Sequence, residues 1–343
     1  MAKETYYIGE QSLSFPKEVY VISSASVVGK KEGEGPLGGA FDMICEDDKF
    51  GEDTWEMAES TLQKEALALA VGKAGLKPKD VRYLFAGDLL GQNIATSFGL
   101  MDYEIPLFGL YGACSTAGES LSLAAMCVGA GYAKCVAALT SSHFASAEKQ
   151  FRFPLEYANQ RPVSATWTVT GSGAFLLSSK KGEARITGIT TGKIVDMGIK
   201  DSMNMGAAMA PAAADVIAQH LEDFGRKPKD YDKIVTGDLG YVGQEILCNL
   251  LSKKNIDISG THEDCGILIY DKETQGTGSG GSGCGCSAVT LSAHYLPKLK
   301  DGSYKRILFV PTGALLSTVS FNEGQNVPGI AHAVVLEHIG EEA

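Results

Sequence analysis

The 343-residue sequence contains no stretch of about 18 consecutive apolar residues, so it carries no sign of a membrane-spanning helix. Its N-terminus lacks the basic start, apolar centre and small-residue cleavage site of a secretory leader, and synthesis as a cytosolic chain is expected. Cations are outnumbered: 30 Lys and Arg stand against 41 Asp and Glu, a formal net charge of −11. No dense run of Lys and Arg occurs along the chain, which argues against nucleic-acid binding, because neutralising phosphates needs clustered positive charge. A small anionic ligand is not excluded, since local donors rather than net charge decide that. The cysteines at 45, 114, 127, 135, 248, 265, 284 and 286 lack the pattern of a small disulfide scaffold. Cys127, Cys135 and Cys248 lie in apolar stretches and read as reduced, buried thiols.

Hydrophobic residues make up 44% of the chain, enough for a sizeable core. The length suits one large domain or two fused ones of roughly 150 residues each. An internal repeat favours two. Lys77-Pro78-Lys79-Asp80 followed by Gly87-Asp88-Leu89 recurs as Lys227-Pro228-Lys229-Asp230 followed by Gly237-Asp238-Leu239. Three weaker matches follow in the same order: Cys114-Ser115-Thr116-Ala117 with Cys286-Ser287-Ala288-Val289, Gly131-Tyr132-Ala133-Lys134 with Gly302-Ser303-Tyr304-Lys305, and the seven residues from Gly171 with the seven from Gly329. Two halves, 1–180 and 181–343, are the simplest account.

Within each half, short apolar runs alternate with helical patterns, the signature of strands in a covered sheet joined by crossover helices. Strands are expected near 19–28, 83–86, 106–110, 133–140 and 174–178. Helices are expected near 54–74, with Asp53 as N-cap and Gly75 as stop, and near 115–129, then 207–224, 244–253 and 287–296. The helix after Cys114 carries one charged residue, Glu119, and is apolar nearly all round, so it is expected to be buried on most faces. With a counterpart after Cys286 beside it, two sheets would enclose a central helix pair, giving a five-layer αβαβα sandwich of two pseudo-symmetric halves. The segment 276–286, GTGSGGSGCGC, has the composition of a flexible linker, but its place before a buried helix favours a loop wrapped around a site.

Cys114 falls between an apolar strand and the buried helix, where unpaired N–H groups and the helix dipole stabilise a thiolate or hold a carboxylate ligand. The stretch YGACSTAGESLSLAAMCVGAGYAKCVAALTSSHF, followed by TVTGSGAFLLSS, resembles the nucleophile segment and later strands of thiolases and ketoacyl synthase III condensing enzymes. More narrowly, EKQFRFPLEYANQRP and the GSGCGCSA loop resemble the stage V sporulation protein AD family of spore-forming bacteria. The resemblance implies a thiolase-like α/β fold and a homodimer.

In the condensing enzymes, the nucleophilic Cys works with His and Asn, or two His, from loops of the second half. The resemblance places Asp238 and Cys284 at those helper positions. An ionised Asp accepts hydrogen bonds only and would repel a developing oxyanion. No His or Asn occurs from 276 to 293. A non-condensing, ligand-binding protein is therefore expected, with Cys114 a vestigial nucleophile and Cys114, Ser115, Thr140, Ser141, His143, Arg152, Asp238 and Cys284 around the ligand. Arg152 and Arg161, among aromatic residues, could cover the pocket or form a dimer contact. The narrower resemblance implies that the ligand is dipicolinic acid or its calcium chelate. It also implies uptake into the developing spore with membrane-embedded sporulation proteins, at a peripheral position on the spore inner membrane. No cofactor and no metal site is expected; His262 and Cys265 with Cys284 and Cys286 is the one metal-ligand set weighed, and Cys284 and Cys286 already belong to the pocket loop. The enzymatic alternative is acyl transfer through Cys114.

Overall fold

The computed structural model describes residues 5–151 and 160–340. Its strands form two sets of the same topology. The first is β1 (Val19–Gly29), β2 (Leu84–Gly87), β3 (Leu107–Gly109), β4 (Cys135–Ser142) and β5 (Gly171–Ser178), bonded in the order β3-β2-β4-β5-β1. The second is β6 (Ala184–Thr190), β7 (Lys233–Thr236), β8 (His262–Asp264), β9 (Arg306–Val310) and β10 (Ala333–Glu337), in the order β8-β7-β9-β10-β6. In both, the first three strands of the order are parallel and the next runs antiparallel to its neighbours. The sheets meet at one edge, where Tyr20 pairs with Arg185 and Val19 with Ile186.

Strand residues alternate between two cores, as a period of two dictates. Val136, Ala138, Phe175 and Leu177 of the first sheet face Ile307, Phe309, Val334 and Leu336 of the second across a common interior. Leu139, Ala174 and Leu176 face outward onto α1 (Trp55–Lys73), which buries Leu62, Ala66, Leu67 and Ala70 against them. The interior is filled by α2 (Thr116–Gly129), while α3 (Met205–Asp223) and α4 (Gly240–Ser252) cover the far face of the second sheet. The remaining central helix is α5 (Cys284–Thr290), prolonged by a π-turn at Leu291–Tyr295 and a last turn at Leu296–Lys300. The layers are therefore αβαβα, a thiolase-like α/β fold. A Cβ on Gly173 would sit 2.6 Å from that of Ala288, so α5 packs as closely as it does only because that strand residue has none.

The repeated motif is repeated in structure. Pro78–Asp80 and Pro228–Asp230 each form a 3-10 turn closed by the Asp carboxylate on the N–H of Lys77 (2.8 Å) and of Lys227 (2.7 Å). Each turn leads into the second strand of its sheet. The weakest match is slipped by one residue. Phe175 pairs with Ala138 and Val334 pairs with Phe309, and all four face the interior, so Phe175 corresponds to Val334 and not to Ala333. Two further expectations shift: Thr54, not Asp53, caps α1, its hydroxyl accepting from the Met57 N–H at 3.2 Å, and Cys127 and Cys248 are only half-buried. Gly75, at φ 65°, ends α1 as expected. Among the described residues no helix is long and apolar enough to cross a membrane.

Candidate functional site

The chain leaves β3, turns at Gly112 and Ala113, and enters α2 at Thr116, which places Cys114 at the mouth of the central layer. Ala113 adopts φ 51°, a left-handed conformation costly for a residue with a Cβ, and it is held there by a closed set of local bonds. Ser115 N–H donates to Gly112 O (3.1 Å) and Thr116 N–H to Ala113 O (3.2 Å). The Ser115 and Thr116 hydroxyls donate to the same two carbonyls at 2.6 and 2.7 Å. The Ser115 and Thr116 N–H groups at the helix start are therefore already engaged. Burial first, and then the negative charge of Asp238, push the Cys114 thiol well above its ordinary range. The expected lowering at a helix start does not occur: Cys114 precedes the first helical residue by two positions and faces a carboxyl group.

Asp238 follows β7 and is 1% exposed. Its carboxylate accepts from Gly283 N–H (2.9 Å), the Ser282 hydroxyl (3.2 Å) and the Thr312 hydroxyl (2.8 Å). Burial outweighs these donors and raises its pKa to about 6. The Ser282 hydroxyl is also 3.9 Å from the Cys114 sulfur, so Cys114, Ser282, Asp238 and Thr312 form one chain of polar contacts. Gly276, Gly278, Gly280 and Gly283 all adopt positive φ, and the loop they build is pinned rather than free: Trp167 N–H bonds Gly280 O and Val169 N–H bonds Ser282 O, each at 2.8 Å.

A recess of about 450 Å³, measured out to its open mouth, lies over Cys114, lined by Leu89, Tyr111, Phe151, Thr168, Ser282 and Leu316 among others; its enclosed part is about 30 Å³, room for a water or two. Of the residues expected there, the structure brings Cys114 to the wall, with Asp238 bonded to the wall residue Ser282. Cys284 packs behind Cys114, but its thiol donates to Ser141 O at 2.9 Å. Ser115 is part of the turn described above. Thr140 donates to Cys284 O (3.0 Å), fastening α5 to β4. Ser141 points to the other face of the sheet, where it bonds Glu59 (3.0 Å) and accepts from Gln63 (3.0 Å). His143 bonds Asp48 O through Nε2 (2.8 Å) and accepts from Ala145 N–H through Nδ1 (3.1 Å), so it caps the helix Phe144–Phe151, and burial lowers its pKa. His332 accepts from Gly192 N–H at 3.4 Å, and burial lowers its pKa to about 4. His262 is held by Thr236 (2.9 Å) and Gln244 (3.1 Å). Arg152 lies outside the described residues.

Sequence reasoning missed Ser282, Thr312, Tyr111 and Thr168. Ser282 lay within the Gly-rich loop already singled out, whereas Thr312 carries no local signal. Arg161 is committed: it pairs with Glu148, donates to Thr166 O (2.8 Å), and lies over Trp167, which stacks on Phe144 at 4.0 Å. Asp88, the first-half counterpart of Asp238, turns away to bind Leu90 N–H and Thr96 N–H, both at 2.8 Å. Beside it Glu59 is raised to about 8, by burial and then by Asp88.

Solved structures share this architecture at low identity. A 3-oxoacyl-[acyl-carrier-protein] synthase III from Aquifex aeolicus VF5 aligns with TM-score 0.56 and 16% identity, covering 93% of this chain and 99% of its own. A tetronic acid condensing enzyme aligns with TM-score 0.61 and 17% identity, over 92% and 99%. Human mitochondrial 3-ketoacyl-CoA thiolase aligns with TM-score 0.55 and 13% identity, over 95% and 100%. These show the fold alone. In sequence, Stage V sporulation protein AD of Bacillus subtilis (strain 168) is 44% identical over 336 residues, 97% of this chain and 98% of that protein. The family described as Stage V sporulation protein AD (SpoVAD) matches residues 9–337, and the chain belongs to that family.

Proposed function

We propose that this sporulation-family protein uses the Cys114 recess to bind dipicolinic acid or its calcium chelate and assists uptake of that ligand into the developing spore, without condensing chemistry. The observation that carries the non-condensing part is the Cys114–Asp238 pair. A nucleophilic thiol must ionise, and here burial and a neighbouring carboxyl both hold it protonated. The positions of the two helpers carry Asp238, whose oxygens are occupied by donors, and Cys284, whose sulfur bonds a carbonyl.

For the ligand, the support is family membership together with the chemistry of the recess. Tyr111 and Phe151 offer flat apolar walls to an aromatic ring, and Thr168 and Ser282 offer hydroxyls. Asp238 nearby disfavours a free dianion, so of the two forms the calcium chelate, with its carboxylates neutralised, suits the recess better. The enclosed space is smaller than the ring, so the recess must widen on binding.

The expected peripheral position at the spore inner membrane, beside membrane-embedded sporulation proteins, belongs to the same reading. So does a homodimer. Strand β3 is a sheet edge exposed along its whole length, with Leu107 (40% exposed) and Phe108 (52%) on it, an apolar edge that a second copy would cover.

Calorimetry tests the ligand: titration of folded protein with dipicolinate, alone and with calcium, is expected to give saturable heat, larger affinity with calcium, and loss of both in Cys114→Trp, which fills the recess. Stable acylation of Cys114 by a radiolabelled acyl thioester, with turnover, would instead establish the acyl-transfer alternative.

A further inference from the structure

The chain has no dense cationic run, yet the fold assembles one. Several of the segments that meet at the sheet end opposite the Cys114 recess bring Lys or Arg to it, while Asp80 and Glu104 line the same groove. Lys77, Lys79, Arg82 and Lys134 line an open groove of about 990 Å³ around Tyr132, which is 75% exposed at a turn made by Gly131 at φ 82°. Lys17 reaches the same turn, its ammonium lying where a Gly131 side chain would go. Lys180 and Lys181 follow β5 onto this end; Asp80 and then Lys180 act in opposite senses on Cys135, and Arg82 acts on Cys127.

These seven cations are exposed, and the ion pairs among the described residues use other Lys and Arg. The recess end carries the contrasting charge: Glu46, Asp47, Asp48 and Asp53 are exposed on the loop that His143 holds. A protein of net charge −11 thus gathers seven exposed cations, against the acids Glu18, Asp80 and Glu104, at one end of its strands.

We infer that this end, centred on Tyr132, is a docking face for an anionic lipid bilayer. The chemistry favours lipid over a single acidic protein segment. Six of the seven cations are Lys, point charges on flexible stems spread across separate segments, which suit a fluid array of phosphates better than a few fixed carboxylates. An exposed Tyr with an apolar ring and polar tip, ringed by cations, suits the headgroup layer. Docked this way, the acidic end faces away from the anionic surface and the Cys114 recess opens to the aqueous side. The inference rests on the reading that the protein works at a membrane, and it identifies the face.

The test is co-sedimentation of the full chain with vesicles of phosphatidylcholine containing phosphatidylglycerol, and with vesicles of phosphatidylcholine alone. Binding is expected only to the first, and it should fall steeply with added salt. In the variant K77Q/K79Q/R82Q/K134Q, folding being verified by an unchanged melting curve, partitioning should drop by about fivefold per charge, several hundredfold in all. The control K30Q/K49Q/K64Q/K193Q, made at cations already paired or at the acidic end, should bind as the parent does. Equal binding to both vesicles, undiminished binding by the groove variant, or no binding by the parent would each overturn the inference. Capture of soluble polyglutamate in place of vesicles would assign the groove to an acidic protein. Dipicolinate titration of the same samples keeps the two readings apart, since the recess is far from the groove: loss of vesicle binding with dipicolinate heat intact refutes only the docking face.

Discussion

Asp238→Asn isolates the electrostatics of the site. Asp238 is raised from 3.8 to about 6 by burial, so its ionised form is disfavoured in the folded chain. A carboxyl whose folded pKa lies above its unfolded value contributes stability that is fully present below the unfolded value and is lost as pH rises through the folded one. That rise is worth about 3 kcal/mol over the whole range, and roughly half of it falls between pH ~5 and pH ~7.5. Asn does not titrate, and whatever constant offset it introduces in the hydrogen bonds cancels when the two pH values are compared. Other buried acids, such as Glu32 at about 7 and Glu59 at about 8, are common to both chains and also cancel. Urea unfolding at the two pH values should therefore show parent stability, relative to the variant, falling by about 1–2 kcal/mol on going from pH ~5 to pH ~7.5. A difference that is flat with pH, or that grows, would refute the assignment of Asp238 as a buried, reluctantly ionised acid and with it the account of why Cys114 stays protonated.

Two further outcomes follow from the same geometry. Iodoacetamide at pH ~7.5 should label Cys114 in the folded chain at least about tenfold more slowly than in the urea-unfolded chain, and faster in Asp238→Asn than in the parent, as read by peptide mass spectrometry; rapid labelling in the folded parent would restore it as a nucleophile. The pair Phe108→Glu with Leu107→Lys, placed on the exposed edge at β3, should shift a dimer to monomer in sedimentation velocity at micromolar protein, whereas a parent that is already monomeric would remove the dimer reading.

Much of the fold was legible because its two periodicities are written locally. The inward set Val136 and Ala138 and the outward set Ala137 and Leu139 are adjacent letters that can be sorted only by a period of two, and the duplicated Lys-Pro-Lys-Asp turn ties each half to the same place in its sheet. What was not legible was register. The third and weakest repeat was aligned through glycine and small residues, which carry little face information, and the chain is interrupted at His332 between the short strand Gly329–Ala331 and β10. A slip of one position there reverses every side chain, and only cross-strand pairing corrects it. The basic end was hidden for a related reason: its cations are single letters in separate segments, which become neighbours only when the strand ends are brought together.

At the site the same alternation explains the misplaced hydroxyls. Along β4, Thr140 and Ser142 face the interior and reach α5 and Val169, while Ser141 between them faces α1 and Glu59. Reading Thr140 and Ser141 as one cluster at a strand end ignores that successive side chains point to opposite faces. Asp238, by contrast, was found from its place after a strand, and its surroundings give that identity more meaning than a single change would. Gly283 N–H and two hydroxyls converge on it, a donor set that satisfies a two-oxygen acceptor. An Asn there would offer one acceptor oxygen and turn an NH2 toward donors, and a His would offer at most one acceptor nitrogen. The loop from Gly276 and the strand carrying Thr312 are thus built around a carboxyl group. Placing Asn or His at 238 would require Ser282, Gly283 and Thr312 to find other partners as well, so the carboxyl group there is held by several residues at once.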